Sequence, residues 1–283
     1  MNATKIQKLL LIVFLSLSSI NLYAQDTLQV NRVEAILYTG VGGNQLLVVG
    51  LGGSEGGNAW ASNYWKKTRD EFIAKGYAFL AIGYFGSKGT PKILDKIAID
   101  DVYQAIATAK KYPKINAEKI ALIGGSRGAD LALLLGSYYQ DISCVIAMSA
   151  SHAVFPGHTQ EFTSSCWTYQ GKELPFIPVN EAAVPFLMKG DLRGTFEAML
   201  QDTVAEKKSL ISVARINGPI LLLSGKKDEI IPATAMAEKM MSNLKRHQFK
   251  YAYQHITYEG SHAEPTKHFD VVFDFLAKNF LSK

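Results

Sequence analysis

A serine flanked by glycines is the residue of this sequence best suited to nucleophilic chemistry. Ser126 lies in the pentapeptide Gly-Gly-Ser-Arg-Gly, after the apolar run 119–123 and before an amphipathic stretch at 129–139. A short strand, a G-x-S-x-G turn and a helix are the layout of a nucleophile elbow. Gly124 and Gly128 leave room for so tight a turn, which lifts the hydroxyl above the sheet and places it at a helix N-terminus. The alternative is a glycine-rich strand-to-helix turn without a catalytic role.

A serine hydroxyl needs a neighbouring base to become a strong nucleophile. In this arrangement an acid and then a histidine follow the serine in the sequence, each in a loop after a strand. Asp228 follows the apolar segment 219–224, and His262 follows the segment 251–258. Because the carboxyl ends of parallel strands meet at one edge of a sheet, both loops are expected to reach the serine. We assign His262 as general base and Asp228, rather than the adjacent Glu229, as the acid that orients it.

The oxyanion formed during acyl transfer needs N–H donors beside the serine. The glycine-rich segment 49–57 follows an apolar strand, and its small residues let backbone N–H groups approach a developing negative charge. We expect the N–H of Arg127 to be one donor and that of Ser54, or of the neighbouring Gly53, to be the other. A phosphate-binding loop is disfavoured, because the segment contains neither G-x-x-x-x-G-K-[ST] nor G-x-G-x-x-G.

The elements that would hold these residues alternate along the chain. Strand-like apolar runs and helix-like amphipathic stretches follow one another, which predicts an α/β fold with a mostly parallel sheet and helices on both faces. Residues 151–212 break the alternation, with several prolines and no strand of convincing length. Irregular loops longer than about 15 residues are uncommon in compact domains. We therefore predict an inserted cap over the active site, with short helices at 184–189 and 195–208; the alternative is a peripheral excursion without a role in binding.

The first residues have the pattern of an export signal. Lys5 and Lys8 precede an uncharged apolar run at 9–20, and Ala24 is a small residue at a plausible cleavage point. This predicts a signal peptide over residues 1–24, and residues 25–283 as one α/β domain in the periplasm or outside the cell. We expect no membrane span after cleavage; a retained signal anchor is the alternative.

Charge and cysteine content argue against other classes of protein. The formal net charge of +5 over 283 residues includes no long Lys/Arg run, so we expect no nucleic-acid partner. There is no clustered Cys/His pattern, and no metal site is indicated. Of the two cysteines, Cys144 and Cys166, the first lies in an apolar strand segment, which favours a buried free thiol over a disulfide.

Six further stretches resemble the C-terminal catalytic domain of the acyl-CoA thioester hydrolases and bile acid-CoA:amino acid N-acyltransferases. The resemblance runs from about Gln45 to Ser282, almost the whole of the predicted mature chain. The matching stretches are LGGSEGG (51–57), AIGYFG (81–86), PKILDKI (91–97), GADLAL (128–133), WTYQGKELP (167–175) and ARINGPI (214–220).

This resemblance implies an α/β-hydrolase fold with a triad that maps onto Ser126, Asp228 and His262. It also implies acyl transfer to water or to an amine through an acyl-enzyme. The acyltransferase branch typically uses a cysteine nucleophile, so the serine at position 126 is similar to the thioester hydrolase branch.

We therefore expect an exported serine hydrolase that cleaves a small-molecule carboxylic ester or thioester, by a mechanism that needs no metal or organic cofactor. Tyr84 and Trp167, in two of the matching stretches, and His152, at the start of the predicted cap, are expected to contact the substrate. Two alternatives remain open: an acyltransferase on the same scaffold, and a non-catalytic α/β-hydrolase-like binding module. The sequence predicts no oligomeric state.

Overall fold

Eight strands form one sheet in the computed structural model, which describes residues 23–281 of the chain. All but the last two residues of the predicted signal peptide therefore lie outside the described residues. The described residues form eleven strands in all, eight in this sheet and three in a smaller one. They are β1 (Ala24–Leu28), β2 (Glu34–Thr39), β3 (Gln45–Leu51), β4 (Ala78–Gly83), β5 (Ile97–Ala98), β6 (Ile115–Gly125), β7 (Ile142–Met148), β8 (Trp167–Tyr169), β9 (Lys172–Glu173), β10 (Ile220–Gly225) and β11 (Tyr253–Tyr258).

The order in the large sheet is β1-β2-β4-β3-β6-β7-β10-β11. The six strands β4, β3, β6, β7, β10 and β11 run parallel to one another. At the other end of the sheet, β1 is antiparallel to β2, and β2 is antiparallel to β4. Strands β5, β8 and β9 form a separate small sheet. The prediction of an α/β fold with a mostly parallel sheet is confirmed.

Helices cover both faces of the sheet. The helices are α1 (Lys66–Ala74), α2 (Ile99–Ala109), α3 (Arg127–Tyr138), α4 (Val184–Met188), α5 (Leu192–Met199), α6 (Thr203–Ser209), α7 (Ala233–Arg246) and α8 (Phe269–Asn279), with 3₁₀ turns at Ala59–Ala61, Val213–Arg215 and Glu264–Lys267. Helices α2, α3 and α7 pack on one face of the sheet, and α1 and α8 pack on the other.

The central strands are apolar on both sides because both sides are covered. In β6, Ile120 and Leu122 join the core under α2, α3 and α7, while Ala121 and Ile123 join the core under α1 and α8. Burying each larger side chain of this kind contributes about 1.5–3 kcal/mol. This two-sided burial makes the middle of the sheet a rigid platform for the loops that follow its strands.

Residues 151–212 contain α4, α5, α6 and the short strands β8 and β9. The single helix predicted at 195–208 is wrong: the chain forms α5 and α6 there, because the Asp202 side chain accepts the N–H of Ala205 at 2.9 Å and starts a new helix. Strands β8 and β9 were not expected, since they are only three and two residues long. Strand β8 pairs with the equally short β5, and β9 pairs with β8.

Both cysteines, Cys144 and Cys166, are buried and free, as expected for Cys144. Burial raises the pKa of the Cys166 thiol to about 12, which keeps it protonated. Within residues 23–281, no helix has the length and apolar character needed to cross a membrane.

Candidate active site

The backbone at Ser126 is strained in the manner of a nucleophile elbow. Ser126 connects β6 to α3 with φ 53° and ψ −126°, a conformation that costs a non-glycine residue about 1–3 kcal/mol. A Cβ on Gly124 would lie 2.1 Å from the carbonyl oxygen of Gly128, and a Cβ on Gly128 would lie 2.3 Å from that of Gly52. Both positions therefore require glycine, and the serine stands at the N-terminus of α3.

Asp228 and His262 lie side by side in the loops that follow β10 and β11. The Nδ1 of His262 donates to Oδ2 of Asp228 at 2.7 Å. The other carboxylate oxygen accepts the backbone N–H groups of Ile230 at 2.9 Å and Ile231 at 3.0 Å. Asp228 is only 2% exposed, so its orientation is fixed on both sides. A proton held on Nδ1 leaves the lone pair of the neutral ring on Nε2.

Glu229, the alternative acid, contacts the backbone of His262 and not its ring. One oxygen of Glu229 accepts the backbone N–H of His262 at 3.0 Å, and the Ser149 hydroxyl donates to the carbonyl oxygen of His262 at 2.7 Å. The Nε2 of His262 is buried and makes no hydrogen bond with any described residue. Because Ser126 and His262 line the same cavity, this nitrogen is the ring atom free to take up a proton there.

The candidate oxyanion donors lie against the elbow. A Cβ on Gly53 would be 3.2 Å from the Cβ of Ser126, so the loop after β3 passes directly beside Ser126. The N–H of Gly53 already donates to the Glu55 carboxylate at 3.1 Å. The backbone N–H groups of Ser54 and Arg127 donate to no acceptor among the described residues. Ser54 and Arg127 are therefore the two candidates that remain free.

Tyr84 supports the loop that carries Gly53 and Ser54, and it does not line the cavity at Ser126. Its buried hydroxyl donates to the carbonyl oxygen of Gly52 at 2.6 Å. Burial raises the pKa of Tyr84, which keeps the hydroxyl protonated and able to donate. The expected contact with substrate is replaced by a positioning role, since this bond holds the chain that leads into Gly53 and Ser54.

His152 and Trp167 also lie away from that cavity. Trp167 is fully buried, with its ring 5.8 Å from that of Tyr84. His152 is buried on the opposite side of its segment, where its Nε2 lies 2.6 Å from the carboxylate of Glu206 on α6. Ser151 lines the cavity, but the next side chain points away from it. The expectation for His152 was therefore wrong because neighbours in an extended chain face opposite ways.

A cavity of about 570 Å³ opens beside Ser126 and His262, within the range usual for small-molecule sites. Its wall is mostly apolar, and most of this wall comes from the predicted cap. Arg193 on α5 donates to the carbonyl oxygen of Asp228 at 2.7 Å, which links the cap segment to the acid loop. The apolar side chains from the cap segment are Pro156, Phe162, Val179, Leu187, Leu192, Phe196 and Met199.

A buried ion pair, not predicted from the sequence, also lines this cavity. Arg127 contacts Asp130 at 3.0 Å, and its guanidinium lies 5.5 Å from the ring centres of Phe155 and Phe196. Asp130 also accepts the backbone N–H of Ser151 at 2.7 Å. Burial raises the pKa of Asp130 to about 6, although the charge of Arg127 opposes the shift. The i, i+3 spacing of Arg127 and Asp130 at the start of a helix was the available signal.

Glu55 is a second cavity residue that the sequence analysis did not single out. It lies in the matching stretch at 51–57, exposed and next to Ser126. Within residues 23–281, no group of His, Cys, Asp or Glu side chains is arranged to hold a metal ion. The remaining polar residues that line the cavity are Ser151, His158 and Thr195.

Comparison with known proteins agrees with this geometry. Acyl-coenzyme A thioesterase 1 of Mus musculus is 26% identical over 173 residues, which cover 61% of this chain and 39% of the relative. Acyl-coenzyme A amino acid N-acyltransferase 1 of Mus musculus is 23% identical over 172 residues, covering 61% of this chain and 38% of the relative. The chain thus spans about two fifths of the length of these curated relatives.

Among solved structures, an esterase of Pyrococcus furiosus superposes with a TM-score of 0.60 at 17% identity, covering 91% of this chain and 92% of that one. This likeness shows the α/β-hydrolase fold. Residues 102–264 match the family described as BAAT / Acyl-CoA thioester hydrolase C terminal. The matched region is more than half of the chain and contains the elbow and both loops that meet beside it. The chain therefore belongs to the BAAT / acyl-CoA thioester hydrolase C-terminal family.

Proposed function

We propose that this protein hydrolyses carboxylic ester or thioester bonds of small molecules through an acyl-enzyme. Ser126 is the nucleophile, His262 the general base and Asp228 the acid that orients the base. One observation carries the proposal: the free Nε2 of His262 shares a cavity with a strained Ser126, while Nδ1 is held by a buried Asp228.

Acylation begins when Ser126 Oγ attacks the carbonyl carbon and His262 Nε2 takes the hydroxyl proton. The carbonyl π electrons move to the oxygen, and the N–H groups of Ser54 and Arg127 donate to the resulting oxyanion. Collapse of this intermediate breaks the bond to the alcohol or thiol, which leaves with the proton from His262. Asp228 stays ionised and stabilises the imidazolium.

Deacylation repeats the sequence with water as nucleophile. His262 takes a proton from the water, the hydroxyl attacks the acyl carbon, and the ester bond to Ser126 breaks as the proton returns to the serine oxygen. The products are a free carboxylic acid and the original enzyme. A single oxyanion donor contributes about 3–4 kcal/mol to such a step, so the loop held by Tyr84 contributes to catalysis in addition to the triad.

The apolar cavity supports an acyl substrate. A hydrocarbon chain loses contact with water along the cap side chains, at about 0.8 kcal/mol for each buried CH₂ group. The names of the relatives, acyl-coenzyme A thioesterase 1 among them, favour an ester or thioester over other bonds that a serine can cleave.

An acyltransferase is the second candidate, because one relative is named an acyl-coenzyme A amino acid N-acyltransferase. The two activities share acylation and differ in whether water or an amine attacks the acyl-enzyme. Incubation with an acyl donor and a range of amino acids separates them: a hydrolase yields mainly free acid, and an acyltransferase yields mainly amide.

We also propose that the protein is exported and acts in the periplasm or outside the cell. The basic and apolar pattern of residues 1–24 supports this. Cleavage after Ala24 would remove only the first pair of the β1–β2 ladder and leave the pairs from Gln25–Tyr38 onward. N-terminal sequencing of protein from the culture medium and periplasm tests the proposal: it predicts Gln25 as the first residue, and an intact Met1 start in the cytoplasm contradicts it.

Hydrolysis of p-nitrophenyl acetate by the parent protein and by Ser126→Ala tests the main proposal. The variant should lose almost all turnover and keep only the rate that the oxyanion donors and binding supply. Equal turnover by the two proteins would reject the assignment of Ser126.

A further inference from the structure

Ser149 follows directly after β7 and contacts the backbone of His262. Its hydroxyl donates to the carbonyl oxygen of His262 at 2.7 Å. The carbonyl oxygen of the preceding residue, Met148, accepts the backbone N–H of Ser126 at 2.8 Å. Two consecutive residues at the end of β7 therefore hold the backbones of the proposed nucleophile and of the proposed general base.

The other hydrogen bonds between the base loop, residues 259–268, and neighbouring loops come from the acid loop, residues 226–231. The partners in the acid loop are Lys226, Lys227, Asp228 and Glu229. These bonds fix the acid and the base relative to each other, but none of them reaches the elbow. Within residues 23–281, the bond from Ser149 is the only hydrogen bond between the base loop and the strand end that also holds Ser126.

The backbone of Ser149 has a conformation that favours glycine. Its φ is 51°, in the left-handed region, and the residue is only 2% exposed. Its N–H donates to the carbonyl oxygen of Leu223 on β10 at 2.8 Å, so the sheet holds the residue in place. Strain of this kind persists where the surroundings impose it, and it is frequent at active sites. Glycine would relieve the strain but has no hydroxyl to donate to His262.

We propose that Ser149 is a positioning residue that sets the distance between His262 and Ser126. Its hydroxyl fixes the backbone of His262, and thereby the place of Nε2 relative to the hydroxyl of Ser126. The inference rests on the proposed function and adds a residue that acts through the general base. A displacement of about 1 Å in a reacting group lowers a rate by as much as about 10²-fold, so loss of this single bond should be measurable in kcat.

Ser149→Ala and Ser149→Gly both remove the hydroxyl, but only the glycine relieves the backbone strain. Each should lower kcat for p-nitrophenyl acetate by about fivefold or more. Because acylation and deacylation both use His262, KM should stay within about threefold of the parent value. Ser149→Gly should have the higher Tm of the two, since glycine adopts a positive φ without a steric penalty. A similar loss of kcat at different Tm values separates positioning from a structural role, in which kcat would follow Tm.

Ser137→Ala is the matched control. Ser137 is also a buried serine, and its hydroxyl donates to a backbone carbonyl oxygen, that of Leu134, at 2.9 Å. It lies near the C-terminal end of α3, away from the elbow. Its substitution should lower Tm and leave kcat unchanged.

Fluorophosphonate labelling of Ser126 tests whether Ser149 acts through His262. In the parent background, Ser149→Ala should slow labelling by about the factor by which it lowers kcat/KM. In the His262→Ala background, it should leave the residual labelling rate unchanged to within about twofold, because the side chain that it positions is gone.

Three results would overturn the inference and leave Ser126-dependent hydrolysis intact. In the first, Ser149→Ala and Ser149→Gly lower kcat by less than about fivefold. In the second, kcat follows Tm across the variants. In the third, Ser149→Ala slows labelling equally with and without His262. Equal ester turnover by the parent protein and Ser126→Ala would instead overturn the proposed function and this inference together, so the two failures are distinguishable.

Discussion

Asp228→Asn should lower kcat for ester hydrolysis by about 10⁴-fold, or about 5 kcal/mol of transition-state stabilisation. The structure shows why so small a change has so large an effect. The oxygen of Asp228 that accepts from Ile230 and Ile231 must remain an acceptor, so the new amide NH₂ group faces Nδ1 of His262. That nitrogen must then accept, the ring proton moves to Nε2, and His262 loses the lone pair that takes the Ser126 proton.

Glu229→Gln is the matched control for this substitution. It removes the neighbouring carboxylate charge but keeps an oxygen for the backbone N–H of His262, so kcat should change less than about tenfold. Both variants are compared with the parent on p-nitrophenyl acetate, and thermal unfolding confirms that each is folded. The reasoning is refuted if Asp228→Asn retains kcat within tenfold of the parent, or if Glu229→Gln has the larger loss.

Three further substitutions test the surroundings of the triad. Tyr84→Phe removes the hydrogen bond to Gly52 and should lower kcat about tenfold with little change in KM, and the free energy of unfolding by about 1–2 kcal/mol; an unchanged kcat contradicts its positioning role. Glu55→Gln removes a negative charge beside the developing oxyanion and should raise kcat/KM for neutral esters about fivefold; a decrease contradicts this. Since the pKa of Asp130 is about 6 when folded and about 4 when unfolded, the folded state binds more protons between these values and its stability falls as pH rises. Relative to Asp130→Asn, the parent's free energy of unfolding should fall by about 2 kcal/mol from pH 4 to pH 7; parallel pH profiles in denaturant titrations contradict it.

The parts of the fold that sequence reasoning predicted are those with strong local signals. The apolar runs at 120–123 and 220–223 are strands buried on both faces, in β6 and β10. The glycines at 124 and 128 prescribe the elbow because a Cβ at either would collide with backbone. Asp228 and His262 were predictable because parallel strands end at one edge of the sheet. Each of these features depends on residues close together in the sequence or on a general property of the fold.

The parts that were missed depend on long-range contacts. Strand β8 exists because it pairs with β5, about 70 residues away in sequence, and β9 exists because it pairs with β8. Neither has a detectable apolar run of its own. His152 was expected to contact the substrate from its place at the start of the predicted cap, but a partner on α6, Glu206, holds it away from the cavity at Ser126.

The most direct test of the central claim is a fluorophosphonate label, read by mass spectrometry of the intact protein and of its peptides. The account predicts a single adduct on Ser126 in the parent protein, no adduct on Ser126→Ala, and labelling of His262→Ala that is slower by several orders of magnitude. An adduct on another residue, or labelling of Ser126→Ala at the rate of the parent, would contradict it.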